Sequence, residues 1–318
     1  MDRLIAMQTF ALVAELASFS KAAEALQVPK ATVSTRISQL EAHLQVKLLQ
    51  RTTRRVSLTD DGAAYLERAR RLLQDLDELE ARVTGDVAAP KGRLRIDVPA
   101  AAGRHVLGPH LPEFCRRYPG ITLDIGSSDR PVDLITEGVD CVIRGGAVHD
   151  EQLVARKLGA FEVITCASPA YLMLHGIPQS PADLPGGSHH AVNFFSAKTG
   201  RIFSFDFEKD GQTMEVMLPH HVSANDADTQ IALCLQGLGL MQYPRTQALQ
   251  DQINAGVLVQ VLKGWSAGSL GLYVMYPRNR HLSARVRVFV DWIVALYAAK
   301  FADLEAATQT RLTNGPTQ

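Results

Sequence analysis

The sequence predicts an α + α/β chain: a small helical head, a long linking helix and a larger α/β body. Three observations carry this. Residues 1–58 repeat apolar side chains at helical spacing around polar turns. Residues 58–83 sustain an alternation of four and three. Beyond residue 92, strand-length apolar runs alternate with helical ones. A length of 318 residues suggests more than one domain, and 46% hydrophobic residues can build more than one core. That hydrophobicity, with a formal net charge of zero, excludes a chain disordered throughout. No run of about 18 residues is apolar enough to suggest a membrane span.

In the head, Leu4, Phe10, Ala11, Val13 and Ala14 mark one face of a first helix. Asp2 and Glu15 flank this stretch, and Gln8 and Thr9 interrupt it, so it reads as an amphipathic helix and not a signal peptide. Ser18 suits the N-cap of a second helix beginning near Ser20, with Ala22, Ala23 and Leu26 as its apolar face. Pro29 can open a third helix at no hydrogen-bond cost, expected from about Lys30 to His43. The linking helix carries a seam of Leu58, Gly62, Tyr65, Ala69, Leu72, Leu76, Leu79 and Val83. A helix this amphipathic needs a partner. A second copy is expected, touching through Tyr65, Ala69, Leu72, Leu76 and Leu79.

Thr84 to Gly92 reads as a hinge by composition. After it, strands are expected at Arg93–Val98, Ile121–Ser127 and Asp140–Arg144, with helices at Leu107–Tyr118 and Val132–Glu137 between them. Further strands are expected at Val163–Ala167, Ala191–Phe195, Phe203–Phe207 and Glu215–Leu218, the last two forming a hairpin through Lys209-Asp210-Gly211. A helix over Asp226–Gln236, a strand over Leu270–Tyr276 and a helix over Ser283–Tyr297 follow. The expected divisions are 1–58, 59–91, 92–305 and a frayed polar tail, 306–318.

On the third helix, Val33, Ile37, Leu40 and Leu44 share one face, while Ala31, Thr35 and Ser38 lie opposite with Thr32 and Ser34 on the flank. Small uncharged side chains let a helix approach base edges closely. Lys30 and Arg36 flank that face and can reach phosphates. Next, two short alternating stretches surround Arg51-Thr52-Thr53-Arg54-Arg55, the pattern of a β-wing. Residues 30–55 hold six basic residues against one acid, Glu41. The net zero is therefore a cancellation. Residues 1–58 carry eight basic and four acidic residues, and residues 59–91 carry five and eight. Together these features point to nucleic-acid binding.

The runs Phe19–Glu41 and Leu48–Gly62 resemble, without gaps, the winged helix–turn–helix of LysR-type bacterial transcriptional regulators. The resemblance continues through the linking helix and covers nearly the whole chain. It implies a linker-helix dimer, often paired into a tetramer. It also implies a C-terminal effector domain of two periplasmic-binding-protein-like α/β subdomains, here about 92–162 with 268–300, and 163–267. The implied partners are an operator in double-stranded DNA, a small-molecule effector, a second copy of the chain and RNA polymerase. No cofactor, metal or membrane is implied.

In such a domain the effector sits between the lobes at strand ends and helix N-termini. The residues expected there are Ala100, Ala101 and Ala102 after the first strand, Ser127 and Ser128 after the second, and Arg144 at the third. The second lobe would contribute His190, Asn193, Asn225 and Asp226. Relatives of this kind commonly carry a Ser or Thr where Ala100–Ala102 stand, so anion binding here would fall to backbone N–H groups. Cys115, Cys141, Cys166 and Cys234 are widely spaced, with no metal-ligand pattern, and read as buried, reduced cysteines of a cytoplasmic protein. No GxSxG, HExxH or P-loop signature is present, and Gly237-Leu238-Gly239 follows a helix, the wrong setting for a dinucleotide. An enzyme is not expected.

Overall fold

The computed structural model describes residues 1–318 except 52–55, 84–89, 135, 147–149, 279–281 and 314–318. It divides into two compact units, Met1–Ala89 and Pro90–Gln318.

The first unit packs α1 (Arg3–Leu16), α2 (Phe19–Ala25) and α3 (Lys30–Leu44) around Phe10, Val13, Ala22, Val33, Ile37 and Leu40, all nearly inaccessible. Asp2 caps α1 through the amides of Leu4 and Ile5. Ser18 caps α2 through the amide of Lys21. Strands β1 (Leu49–Arg51) and β2 (Val56–Leu58) pair antiparallel, with Leu49 opposite Leu58 and Arg51 opposite Val56. Residues 52–55 between them, with the expected wing contacts Thr52, Arg54 and Arg55, lie outside the described residues.

Helix α4 (Asp60–Val83) begins where Thr59 Oγ1 accepts the Gly62 amide at 2.9 Å and donates to the Lys47 carbonyl at 2.6 Å. A Cβ on Gly62 would stand 1.9 Å from the Leu48 carbonyl oxygen, so only glycine lets the helix start so close to the wing. The seam of α4 divides here. Tyr65 packs edge-on against Phe10 at 5.5 Å, Leu66 is buried and Ala69 is 1% exposed, so this part of the seam packs on its own head. The reason is position: the first turns of the seam lie over α1 before the helix leaves the head. Leu72 and Leu79 are 58% and 59% exposed, and Leu76 is partly exposed.

The second unit is a two-lobed α/β body. In the first lobe β3 (Gly92–Val98) lies between parallel neighbours β4 (Ile121–Ser127) and β5 (Cys141–Gly145). The long strand β6 (Leu153–Ala167) runs from this lobe into the second. The chain returns along β13 (Ser269–Pro277), which joins β5 and the first part of β6 antiparallel. Helix α10 (Ala284–Thr313) then covers the sheet, with Phe289 and Trp292 ringed around Phe114. The three aromatic side chains are each worth about 1.5–3 kcal/mol of burial, which anchors the C-terminal helix to the first lobe.

The second lobe holds α7 (Pro169–His175), the parallel pair β7 (Ala191–Phe194) and β10 (His220–Ala224), the hairpin β8 (Phe205–Lys209) with β9 (Gln212–Val216), and helices α8 (Ala227–Leu235) and α9 (Gln247–Asn254). Strands β11 (Met241–Pro244) and β12 (Val259–Val261) flank β6. Asp210 and Gly211, at φ 52° and 76°, make the hairpin turn.

Several expectations give way. The first-lobe helix begins at Ala100, not Leu107: Ala100–Ala102 (α5), a π turn over Gly103–Leu107 and α6 (Gly108–Arg117) run without a break. Pro99 opens it, and Gly103 lets it pass close to Ser127, where a Cβ would come within 2.9 Å of Oγ. Around Val132–Glu137 the described residues make turns. There Glu137 is turned back onto Arg130, at 2.6 Å. The polar residues 306–313 continue α10, because Ala, Leu, Gln and Arg favour a helix whether or not it is covered. Cys115 is exposed on α6, while the other three cysteines are buried.

Candidate functional site

Helix α3 has one buried face and one open one. Val33, Ile37 and Leu40 are closed off, while Lys30, Ala31, Thr35 and Ser38 are exposed and Thr32, Ser34 and Arg36 are partly so. Thr35 Oγ1 donates to the Ala31 carbonyl at 2.9 Å while the residue stays exposed. Arg36 Nη1 donates to Thr9 Oγ1 at 3.4 Å, which ties its side chain to α1.

Glu41 is the residue that composition left as a lone acid among bases. It is 6% exposed and gathers the Leu48 amide at 3.0 Å, the Leu49 amide at 3.2 Å and Lys47 Nζ at 2.7 Å. Burial pushes its carboxyl up, and the hydrogen bonds from Lys47, Leu49 and Leu48 outweigh that, holding it below the usual carboxylate value. A single buried carboxylate thus fastens the start of the wing to the end of α3. An acid that stays inside a basic stretch is the sequence signal for such an anchor.

In the body, β3, β4 and β5 run parallel and end on one side, with Val98, Ser127 and Gly145 as their last residues. Ala100–Ala102 form the first helical turn there, Ser127 is exposed, and the Ser128 amide donates to the Val98 carbonyl at 3.0 Å. Arg144 is not free to hold an effector carboxylate as expected. It pairs with Asp97, and its guanidinium also donates to the Ile143 carbonyl at 2.7 Å and the Arg130 carbonyl at 3.0 Å. Asp97 fits because Gly126 has no side chain: a Cβ there would meet its Oδ2 at 2.1 Å.

On the second lobe, Asp226 caps α8, accepting from the Thr229 amide at 2.8 Å and the Thr229 hydroxyl at 2.6 Å. Asn225 beside it is exposed. Asn193 is 1% exposed, and among the described residues its Nδ2 has no hydrogen-bond partner. His190 does not join them. It precedes β7 and so lies at the opposite end of that strand, its ring stacked on His221 at 4.6 Å and its amide donating to Tyr171 Oη at 2.7 Å.

The residue that sequence reasoning passed over is Asp129, next to Ser127 and Ser128. Its Oδ1 accepts the Ala100 amide at 3.3 Å and its Oδ2 accepts the Ala227 amide at 3.0 Å. Each is the first amide of its helix, one helix in each lobe. Burial pushes the Asp129 carboxyl up, the Ala227 and Ala100 amides pull it back, Asp226 pushes it up and Arg144 pulls it down; it stays above the usual value. The two hydrogen bonds therefore return only part of what desolvation costs. Arg104 and His105 of the first lobe also reach Asp228 of the second, the latter contact at 3.4 Å.

A helix–turn–helix head with an open polar face, joined to a two-lobed body whose parallel strands end beside helix N-termini from both lobes, is the arrangement of a DNA-binding regulator with a ligand-binding domain. Comparison with known proteins agrees. The model of the bacterial regulatory helix-turn-helix protein, lysR family, matches residues 4–63, and that of the LysR substrate binding domain matches residues 88–298. The chain belongs to the LysR family of bacterial transcriptional regulators, with a DNA-binding helix–turn–helix and an effector-binding domain.

It is 42% identical to an HTH-type transcriptional repressor of Pseudomonas aeruginosa, over 94% of this chain and 93% of the relative. It is 32% identical to the HTH-type transcriptional activator AaeR of Escherichia coli, over 92% and 93%. Among solved structures it resembles the full-length CrgA of Neisseria meningitidis, a LysR-type transcriptional regulator, at 32% identity and TM-score 0.57, covering 92% of this chain and 98% of that one. The described residues contain no helix long and apolar enough to cross a membrane.

Proposed function

We propose that α3 reads the operator from the major groove through Ala31, Thr32, Ser34, Thr35 and Ser38. Lys30, Arg36 and the wing residues Arg51, Thr52, Arg54 and Arg55 hold the phosphates. The observation that carries this is the open face of α3: exposed, small, uncharged, and backed by a fully buried apolar face. Arg36, tied to Thr9, would reach the backbone from a fixed position. Two copies meet through Leu72, Leu76 and Leu79, so that two recognition helices address successive turns of a roughly palindromic site. A small molecule in the cleft bounded by Ala100–Ala102, Ser127, Ser128, Asn193, Asn225 and Asp226 changes the lobe geometry and with it operator binding. The regulator works in the cytoplasm, contacts RNA polymerase at its promoter and catalyses no reaction.

Footprinting of the full-length protein tests the reading. Arg51→Ala should weaken binding to every sequence and shallow the dependence of affinity on salt; an unchanged salt slope would remove the wing from the interface. Leu72→Asp with Leu76→Asp should give monomers by sedimentation that occupy the operator poorly. A double variant that stays dimeric would move the interface elsewhere.

A further inference from the structure

The cleft already contains a carboxylate at the position where an anion would be held. The helix from Ala100 through Arg117 starts in the first lobe, and α8 starts in the second. First-turn amides have no partner inside their own helix and attract anions. Asp129 satisfies both at once, one oxygen to each. It comes from the loop immediately after β4, so it is tethered within reach of both helices.

We propose that Asp129 is a resident occupant of the anion seat between the lobes, bridging them in cis as the carboxylate of a bound small molecule would, and that an anionic effector acts by displacing it. This rests on the reading of the cleft as the effector site. Three observations support it. Ala100–Ala102 offer no hydroxyl, so the seat depends on backbone amides alone. Arg144, the cation at the end of β5, pairs directly with Asp97 and reaches Asp129 only through its charge, so the hydrogen bonds of the seat come from the helix ends. The other side-chain links between these helices, Arg104 and His105 with Asp228, involve an arginine and a histidine side chain that are 64% and 42% exposed, where ion pairs contribute little.

The test uses the full-length protein and sodium acetate, with sodium chloride at equal ionic strength as control. Hydrogen exchange is followed in the peptides containing the amides of Ala100 and Ala227. Asp129→Ala should speed exchange at both by about tenfold or more, the consequence of losing a charge-assisted hydrogen bond. Acetate should slow both again in a saturable way, while leaving the wild type unchanged. Should Asp129→Ala fold poorly, Asp129→Asn offers one acceptor oxygen and should leave one of the two amides fast. Wild-type exchange that responds to acetate as strongly as Asp129→Ala, or amides unmoved by both substitutions, would overturn the proposal. An acetate-responsive Asp129→Ala whose operator footprint no small molecule alters would overturn the effector reading and the displacement with it, and leave standing only Asp129 as the occupant of the seat.

Discussion

The head and the body treat their polar groups in opposite ways. On the head, the recognition face of α3 is left open, and the one acid of the basic segment, Glu41, is turned inward to hold the wing. In the body, the charged groups at the strand ends answer one another: Arg144 holds Asp97, Asp226 caps its own helix, and Asp129 fills two helix ends, while the amide nitrogen of Asn193 is the exception. A surface that must accept many phosphates and bases gains from unsatisfied donors. A cleft that must wait for one small molecule gains from a default set of partners, since unpaired buried groups would be costly.

The comparison can be broken at both ends. The largest expected effect is Gly62→Ala, which forces the first turn of α4 away from the Leu48 carbonyl. Overpacking against backbone should cost the head about 3 kcal/mol or more, read as a lower melting temperature of the head. Asp97→Ala should follow at about 3 kcal/mol in urea unfolding, because it strands a largely buried guanidinium; a neutral result would mean the body is not internally satisfied.

Glu41→Ala should cost about 2 kcal/mol by leaving the amides of Leu48 and Leu49 unpaired. Because the Glu41 carboxyl sits below its usual value, its stabilisation is present above that usual value and lost as pH falls through the depressed one. The variant should therefore lose part of the acid limb of the stability profile. The smallest effect is Thr35→Ala, worth about 1 kcal/mol at one base position and almost nothing in stability, measured by comparing operator variants. A uniform loss over all sequences would make Thr35 a positioning residue instead.

The head was legible in the sequence because its information is local. The cap at Ser18, the proline before α3 and the apolar spacings of three and four are properties of neighbouring residues, and they stand where they were read. The seam of α4 was legible as a pattern but not as a destination. Spacing puts Tyr65 and Leu72 on one stripe, and only packing decides that Phe10 covers the first while the second stays open. His190 failed for a related reason: nearness in sequence to Asn193 hides that a strand separates its two ends in space.

By itself, then, the sequence determined the elements of the head and many of those of the body, the basic charge of the head and the family to which the chain belongs, because periodicity, caps and local charge need no distant partner. Tertiary structure alone decided the partners. Arg144 meets Asp97 and Glu41 meets Leu48 only when strands and helices assemble. Asp129 can join Ala100 to Ala227 only when the lobes close around β6 and β13, since these three residues span most of the body in sequence. A carboxylate takes whichever amides the fold leaves without partners, and which amides those are is set by where helices begin in space.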